Sequence, residues 1–212
     1  MHSVDFIYYL GMAGTVAFAA TAVLAVIPKG IDLFGACVMG IITAIGGGTM
    51  RDVILNEPVF WANDLNYIWV ALITSVITFY ANRLVAQKYV YRLMLYLDAI
   101  GVSMFVIQGA DKCIDLKFAM PVGPVFLGLL TAIGGGLIRD VLAGSPTLLM
   151  KKELYAVPLT LGVVLYLVLF TFFPDQQVGI AFGCVTLAFL IRASAIYWDL
   201  QVPDWMRLKE PA

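Results

Sequence analysis

The sequence predicts an all-α membrane protein with seven transmembrane helices, arranged as two inverted three-helix repeats plus a seventh helix. Three observations carry this. The 212 residues are 62% hydrophobic and 13% charged, with a mean hydropathy of +0.93, whereas soluble domains carry about 25% charged residues. Apolar runs of membrane-spanning length follow one another from end to end. The chain also matches itself at an offset of 88 residues. No polar stretch is long enough for a separate soluble domain. The net charge is −1 and the thirteen Lys and Arg form no basic stripe, so nucleic acid is not expected as a partner.

A helix crossing a hydrocarbon core of about 30 Å needs about 20 mostly apolar residues. The first such segment covers roughly 6–27. Small residues near Ala20 give it a superficial likeness to a signal peptide, but only His2 and Asp5 flank its start and no basic region precedes it, so it reads as a retained span. Pro28-Lys29-Gly30 ends it, and the second span runs over 32–50. The polar stretch from Asn56 to Asn66 leads to the third, 66–84, and Arg83 to Lys88 separates that from the fourth, 91–109. Asp111 to Lys117, Ser145 to Lys152 and Pro174-Asp175 then set off the fifth, sixth and seventh, at 118–142, 154–173 and 178–197. Trp61, Tyr67, Trp69, Tyr89, Tyr91, Tyr155, Trp198 and Trp205 fall near span ends, where an interfacial aromatic belt belongs. The stretch from Trp198 to Ala212 reads as an interfacial tail. Cys37, Cys113 and Cys184 are too scattered for a metal site or disulfide framework and read as small buried hydrophobes.

Orientation follows from cations in alternate connections. With the N-terminus outside, the inner side receives Lys29, Arg83, Lys88, Arg92, Arg139, Lys151, Lys152, Arg192, Arg207 and Lys209. The outer side receives only Arg51, Lys112 and Lys117. The positive-inside rule therefore places the N-terminus outside and the C-terminus in the cytoplasm, in the plasma (inner) membrane.

Residues 40–58 read GIITAIGGGTMRDVILNEP and residues 128–146 read GLLTAIGGGLIRDVLAGSP, identical at eleven of nineteen positions. Upstream the match continues at an offset of 87, pairing Tyr9-Leu10 with Tyr96-Leu97, Gly14 with Gly101 and Phe18 with Phe105. Repeat one covers about 5–85, repeat two about 91–173, and the extra helix about 178–197, all within one transmembrane domain. Each repeat holds three spans, an odd number, so the second enters the membrane from the opposite side. A pseudo-two-fold axis in the membrane plane results, as in many transport proteins.

Three consecutive glycines cost roughly 1 kcal/mol each in a helix relative to alanine. Gly46-Gly47-Gly48 and Gly134-Gly135-Gly136 are therefore expected to kink or unwind the second and fifth spans. Freed carbonyls, above all those of Gly46, Gly47, Gly134 and Gly135, would then be oxygen ligands for a monovalent cation. Thr43 and Thr131 stand one turn earlier, placed to line the same path. The competing reading is that the small residues let two helices pack closely.

Arg51-Asp52 and Arg139-Asp140 follow the glycines. A charge at bilayer depth costs at least about 2.5–3.5 kcal/mol on insertion scales, so such residues pair or face water. They are either pore-mouth groups or ion pairs that pin helix ends, and adjacent helical residues point about 100° apart, so each Arg need not pair with its own Asp. Asp98 lies inside the fourth span, with Gln108 near that span's end, and breaks the repeat because its counterpart is Gly11. It is a candidate for cation attraction, a proton step, or pairing with Arg92 or another basic residue. Lys29 reads as a snorkelling anchor. No enzyme activity is expected: His2 is the single histidine and no nucleotide-binding glycine motif occurs.

With GGGxxRD in each half, the sequence resembles the prokaryotic branch of the trimeric intracellular cation (TRIC) channels, whose bacterial sequences are also classed as glycine-transporter-like. The likeness covers nearly the whole chain. It implies a homotrimer in the lipid bilayer, with a potassium-permeable pore in each subunit between kinked second and fifth helices, no cofactor, and no nucleotide or nucleic acid partner. The resemblance implies potassium as the permeant ion, with sodium as a further candidate. Animal members carry a lysine-rich segment that binds phosphoinositide; here only Lys151-Lys152 stands near the equivalent region. The alternative is a secondary transporter of a small neutral solute such as glycine.

Overall fold

The computed structural model describes residues 3–82, 87–151 and 153–202. His2, Arg83, Lys152, Trp205, Arg207 and Lys209 lie outside the described residues, as does the side chain of Lys88. Among the described residues the chain forms eight α-helices: α1 (Ser3–Val26), α2 (Leu33–Ile54), α3 (Phe60–Asn63), α4 (Asn66–Ala81), α5 (Gln87–Asp115), α6 (Val122–Leu142), α7 (Ala156–Phe172) and α8 (Gln177–Tyr197). Five segments are long and apolar enough to cross a membrane, and α4 and α7 are shorter apolar helices of 16 and 17 residues. The chain is a multi-pass membrane protein.

Local chemistry sets both ends of α2 and the C-terminal end of α6. The Asp32 carboxylate accepts a hydrogen bond from Gly35 N at 2.8 Å and caps α2. At the other end of α2, Asn56 adopts a left-handed conformation with φ 54°. The Asn56 and Glu57 amides return to the carbonyls of Val53 and Asp52. α6 ends identically: Gly144 has φ 58°, and the Gly144 and Ser145 amides bond the carbonyls of Val141 and Asp140. This is the Schellman arrangement, which satisfies carbonyls that a helix end leaves free.

α5 runs through two places where the sequence suggested breaks. It begins at Gln87 rather than 91 and continues past Asp111 to Asp115. Asp111 stays in the helix because Oδ1 receives the Tyr166 hydroxyl at 2.5 Å and the Gln177 amide at 2.6 Å. This clasp ties α5 to α7 and α8. Tyr166→Phe removes one donor to a buried carboxylate without changing shape, and about 1.5–3 kcal/mol of stability should go with it, read as a lower melting temperature in detergent.

α1, α2 and α4 pack on one another, and so do α5, α6 and α7. Between the two sets, α1 packs on α5 and α2 on α6, while α8 lies against α7 and α5. The interface between the sets is symmetric. Phe18 and Phe105, partners in the repeat, meet edge to face with centroids 5.0 Å apart. The Phe105 ring lies over Gly14, and the Phe18 ring over Gly101. Exchanging each residue with its repeat counterpart maps one contact onto the other, as a pseudo-two-fold axis requires. All three cysteines are buried and unpaired, as expected.

Candidate functional site

The glycine triplets are where α2 and α6 cross. Both lie in unbroken α-helix, over Leu33–Ile54 and Val122–Leu142, so the expectation of unwound segments with freed carbonyls is corrected. The reason is close approach. A β-carbon at Gly47 would collide with the Thr131 carbonyl oxygen and stand 3.2 Å from Gly135 N, and one at Gly135 would collide with the Thr43 carbonyl oxygen. Keeping the helical hydrogen bonds and gaining backbone-to-backbone packing outweighs the glycine propensity cost. The contacts run Thr43–Gly135, Gly46–Ile138, Gly47–Thr131 and Met50–Gly134. In the two backbone contacts, Thr43–Gly135 and Gly47–Thr131, one helix number rises as the other falls, so α2 and α6 are antiparallel.

Thr43 and Thr131 are buried at this crossing. Thr131 Oγ1 donates to Leu127 O at 2.6 Å. Thr43 Oγ1 has no partner among the described residues, although it is the equivalent atom. The pseudo-symmetry holds for backbone and fails for hydroxyls.

Each arginine does pair with the aspartate beside it. Arg51 Nε donates to Asp52 Oδ1 at 2.8 Å, and Arg139 Nε donates to Asp140 Oδ1 at 2.8 Å. The second carboxylate oxygen accepts a backbone amide eight residues on, Phe60 N at 2.8 Å and Leu148 N at 3.0 Å. The aspartates thus tie the chain leaving each glycine helix back to that helix's last turns.

What α5 contributes differs between the halves. In half one Lys112 Nζ lies 2.7 Å from Asp52 Oδ1. In half two Asp98 Oδ1 accepts from Arg139 Nη1 at 2.9 Å, with both side chains fully buried. Asp98 therefore pairs with Arg139 rather than with Arg92. Its counterpart Gly11 is covered by the Gln108 amide and the Tyr67 hydroxyl. The glycine-motif arginines thus sit in clusters of opposite net charge: Arg51, Asp52 and Lys112 sum to +1, while Asp98, Arg139 and Asp140 sum to −1.

Several residues here escaped sequence reasoning. Tyr67 and Tyr155, 88 positions apart, are buried rather than part of an aromatic belt; Trp69, Tyr89, Tyr91 and Trp198 are exposed, and Trp61 Nε1 donates to Thr49 Oγ1 at 3.0 Å. The identical offset to the glycine motif was the available signal. Arg192 is a fully buried member of α8, not an inner-loop cation. It holds Glu153 Oε2 at 3.3 Å through both Nη1 and Nη2, donates to Leu154 O at 3.1 Å, and stacks over Tyr155 at 4.9 Å. An arginine inside an apolar run was the signal. Lys29 donates to Ala143 O at the C-terminal end of α6, favourable for a cation at that end of the dipole.

Two antiparallel glycine helices crossing on a pseudo-two-fold axis, flanked by buried ion clusters, define a helical membrane protein of internally duplicated, inverted design. A family model described as "Glycine transporter" matches the chain twice, over residues 8–83 and 95–171. The UPF0126 inner membrane protein YadS of Escherichia coli (strain K12) is 36% identical over 94% of this chain and 96% of its own. A UPF0126 membrane protein of Vibrio cholerae is 34% identical over 96% of this chain and 84% of its own. Among solved structures, the TRIC trimeric intracellular cation channel orthologue from Rhodobacter sphaeroides superposes with a TM-score of 0.86 at 32% identity, covering 92% of this chain and 98% of that one. A prokaryotic TRIC channel in 0.5 M KCl gives 0.86 at 26% identity, covering 94% and 100%. The chain belongs to this family, the prokaryotic TRIC family with its glycine-transporter-like sequences.

Proposed function

We propose that this protein is a cation channel that passes potassium, with sodium second, through a pore in each subunit of a homotrimer. The observation that carries this reading is the end-to-end match with a solved TRIC cation channel, at 32% identity and a TM-score of 0.86. The pore follows the α2–α6 crossing, past Thr43, Thr131 and the triplets Gly46-Gly47-Gly48 and Gly134-Gly135-Gly136, from the Arg51–Asp52 cluster to the Asp98–Arg139–Asp140 cluster. The backbone contact at Gly47 and Gly135 closes the crossing, so conduction requires the two helices to part there. The uncompensated hydroxyl of Thr43 is a polar atom on that route.

In this reading there are seven spans, and the chain divides into repeats of about 5–85 and 91–173 with α8 outside them. At 16 and 17 residues, α4 and α7 are about 24 and 26 Å long. Apart from the four-residue α3, both hold third place in their half; α4 packs on α1 and α2, and α7 on α5 and α6. A modest local thinning of the bilayer accommodates them. The cation bias of the connections puts the N-terminus outside and the C-terminus in the cytoplasm of the inner membrane.

The test is reconstitution of the purified protein with single-channel recording under opposed potassium and sodium gradients. Discrete currents reversing towards the potassium equilibrium potential are expected. The family model's description favours one alternative, a carrier for glycine or a similar small solute. Saturable labelled-glycine uptake with counterflow and no unitary current would select it instead.

A further inference from the structure

α8 lies outside the repeat, and with α5 it borders a cleft that the α2–α6 crossing does not use. The cleft has a volume of about 280 Å³ and lies where α5 begins, where α8 ends and where the chain enters α7. Three charged side chains line it: Arg92 from α5, Glu153 from the segment before α7, and Asp199 from the turn after α8. The backbone holds the two acids in place. Asp199 turns the chain with φ 51°. The Leu200 amide returns to Ala195 O at 2.9 Å, and the Leu154 amide bonds Leu200 O at 3.3 Å. Glu153 and Gln201 form an isolated antiparallel bridge.

These opposite charges share a cleft without pairing in it. Arg92 and Asp199 are exposed, and neither side chain makes a hydrogen bond or ion pair among the described residues. Glu153 is 20% exposed, with Oε2 held by the buried Arg192. A guanidinium and two carboxylates held apart in one cleft match a ligand that carries an anion and a cation a short distance from each other. The surroundings are those of a membrane interface. Tyr91 and Tyr197 line the cleft and are exposed, as is Trp198, and such rings sit at headgroup level. The buried Leu95 and Ile196 supply its apolar part.

We propose that this cleft binds the headgroup of phosphatidylethanolamine, with Arg92 taking the phosphate and Asp199 and Glu153 taking the ammonium, the acyl chains lying outside it in the bilayer. The planar fork of an arginine suits phosphate oxygens, and a primary ammonium has three N–H donors for carboxylates. A choline has no N–H and relies on aromatic faces. Here those rings are engaged: Lys151 Nζ stands over Tyr91, 4.5 Å from its centroid, and Tyr197 packs edge to face with Trp198. An anionic headgroup would meet two carboxylates for one guanidinium. The site goes beyond the channel reading and does not depend on it, since a carrier of this fold would hold the same lipid.

The test reads binding, not current. Purified protein in detergent is titrated with dioctanoyl phosphatidylethanolamine, and bound lipid is counted by native mass spectrometry. The wild type should bind it about tenfold more tightly than dioctanoyl phosphatidylcholine or phosphatidylglycerol. Asp199→Asn, at an exposed position, should keep the fold and lose most of the preference over phosphatidylcholine. Arg92→Gln should weaken both of those lipids alike. Equal wild-type affinity for all the lipids overturns the proposal, as does an Asp199→Asn variant that keeps the full preference. Tighter binding of phosphatidylglycerol would make this an anionic-lipid site, and the proposal fails. It fails too if glycerophosphoethanolamine or glycine displaces the lipid at comparable concentration, because the cleft then takes a soluble zwitterion. Absence of channel current alongside the lipid preference would fault the channel reading alone.

Discussion

Alanine at Gly47 is expected to destabilise the protein by about 3 kcal/mol or more, with Gly135→Ala close behind and Gly136→Ala nearly silent. The three glycines of each triplet face different atoms. At Gly47 the added methyl meets the Thr131 carbonyl oxygen, and at Gly135 the Thr43 carbonyl oxygen. Those are backbone atoms of a packed helix, and relief requires moving the whole crossing. At Gly46 the obstacle is the Ile138 Cδ1 methyl, 2.6 Å away, and at Gly134 it is the Met50 methyl. Both are ends of side chains that can turn aside, so these two substitutions should cost less, about 1 kcal/mol. At Gly136 the nearest atom is the Tyr155 hydroxyl at 3.5 Å, ordinary contact. Gly179 in α8 has nothing within 4 Å, and alanine there should gain about 0.5–1 kcal/mol. Thermal unfolding of the six variants in one detergent orders them. Equal losses across Gly46, Gly47, Gly134, Gly135 and Gly136 would remove close backbone approach as the reason for the triplets.

That gradation also explains why the crossing was only half legible in the sequence. The GGGxxRD repeat exposed the duplication, the oppositely directed halves and the two helices that matter. A single-sequence reading prices three glycines by their propensity, which argues for unwinding. It does not contain the partner helix, whose backbone comes near enough to repay intact hydrogen bonding. Asp111 shows the same gap. An acid after an apolar run reads as a boundary, yet α5 continues because Tyr166 and Gln177, from distant parts of the chain, solvate the carboxylate. Asp98 was visible as an anomaly, since a carboxylate inside an apolar span needs a partner, but Arg139 is 41 positions away and nothing local names it. Tyr67 and Tyr155 looked like belt residues by position, and only the shared offset to the glycine motif set them apart. Periodicity and composition report what each segment prefers alone. The site is made of pairings between segments.

The sharpest of those pairings is Arg139, whose replacement by alanine should cost about 3–5 kcal/mol, the range for breaking a buried ion pair from one side. Removing it leaves Asp98 and Asp140 without the cation they share. Arg51→Ala looks like the same change in the repeat and should cost less, about 1–3 kcal/mol, because Asp52 keeps Lys112 Nζ at 2.7 Å and Phe60 N at 2.8 Å. Adding Asp98→Asn to Arg139→Ala removes one stranded charge and should recover about 1–2 kcal/mol of the loss, a coupling of the size expected within one network. Melting temperatures of the four proteins, with the fraction recovered as folded protein, check the series. Equal losses for Arg51→Ala and Arg139→Ala would mean that Lys112 and Asp98 do not set the balance of charge at the two ends. Flux measured on the same proteins separates structure from permeation. If assembled Arg139→Ala conducts like the wild type, the arginine pins the end of α6 and lies off the ion's route. If it assembles but conducts differently, the charge it neutralises lies on that route. The magnitudes matter here because the backbone of the two halves is nearly interchangeable, so any inequality between the two arginines must come from the few side chains that break the repeat.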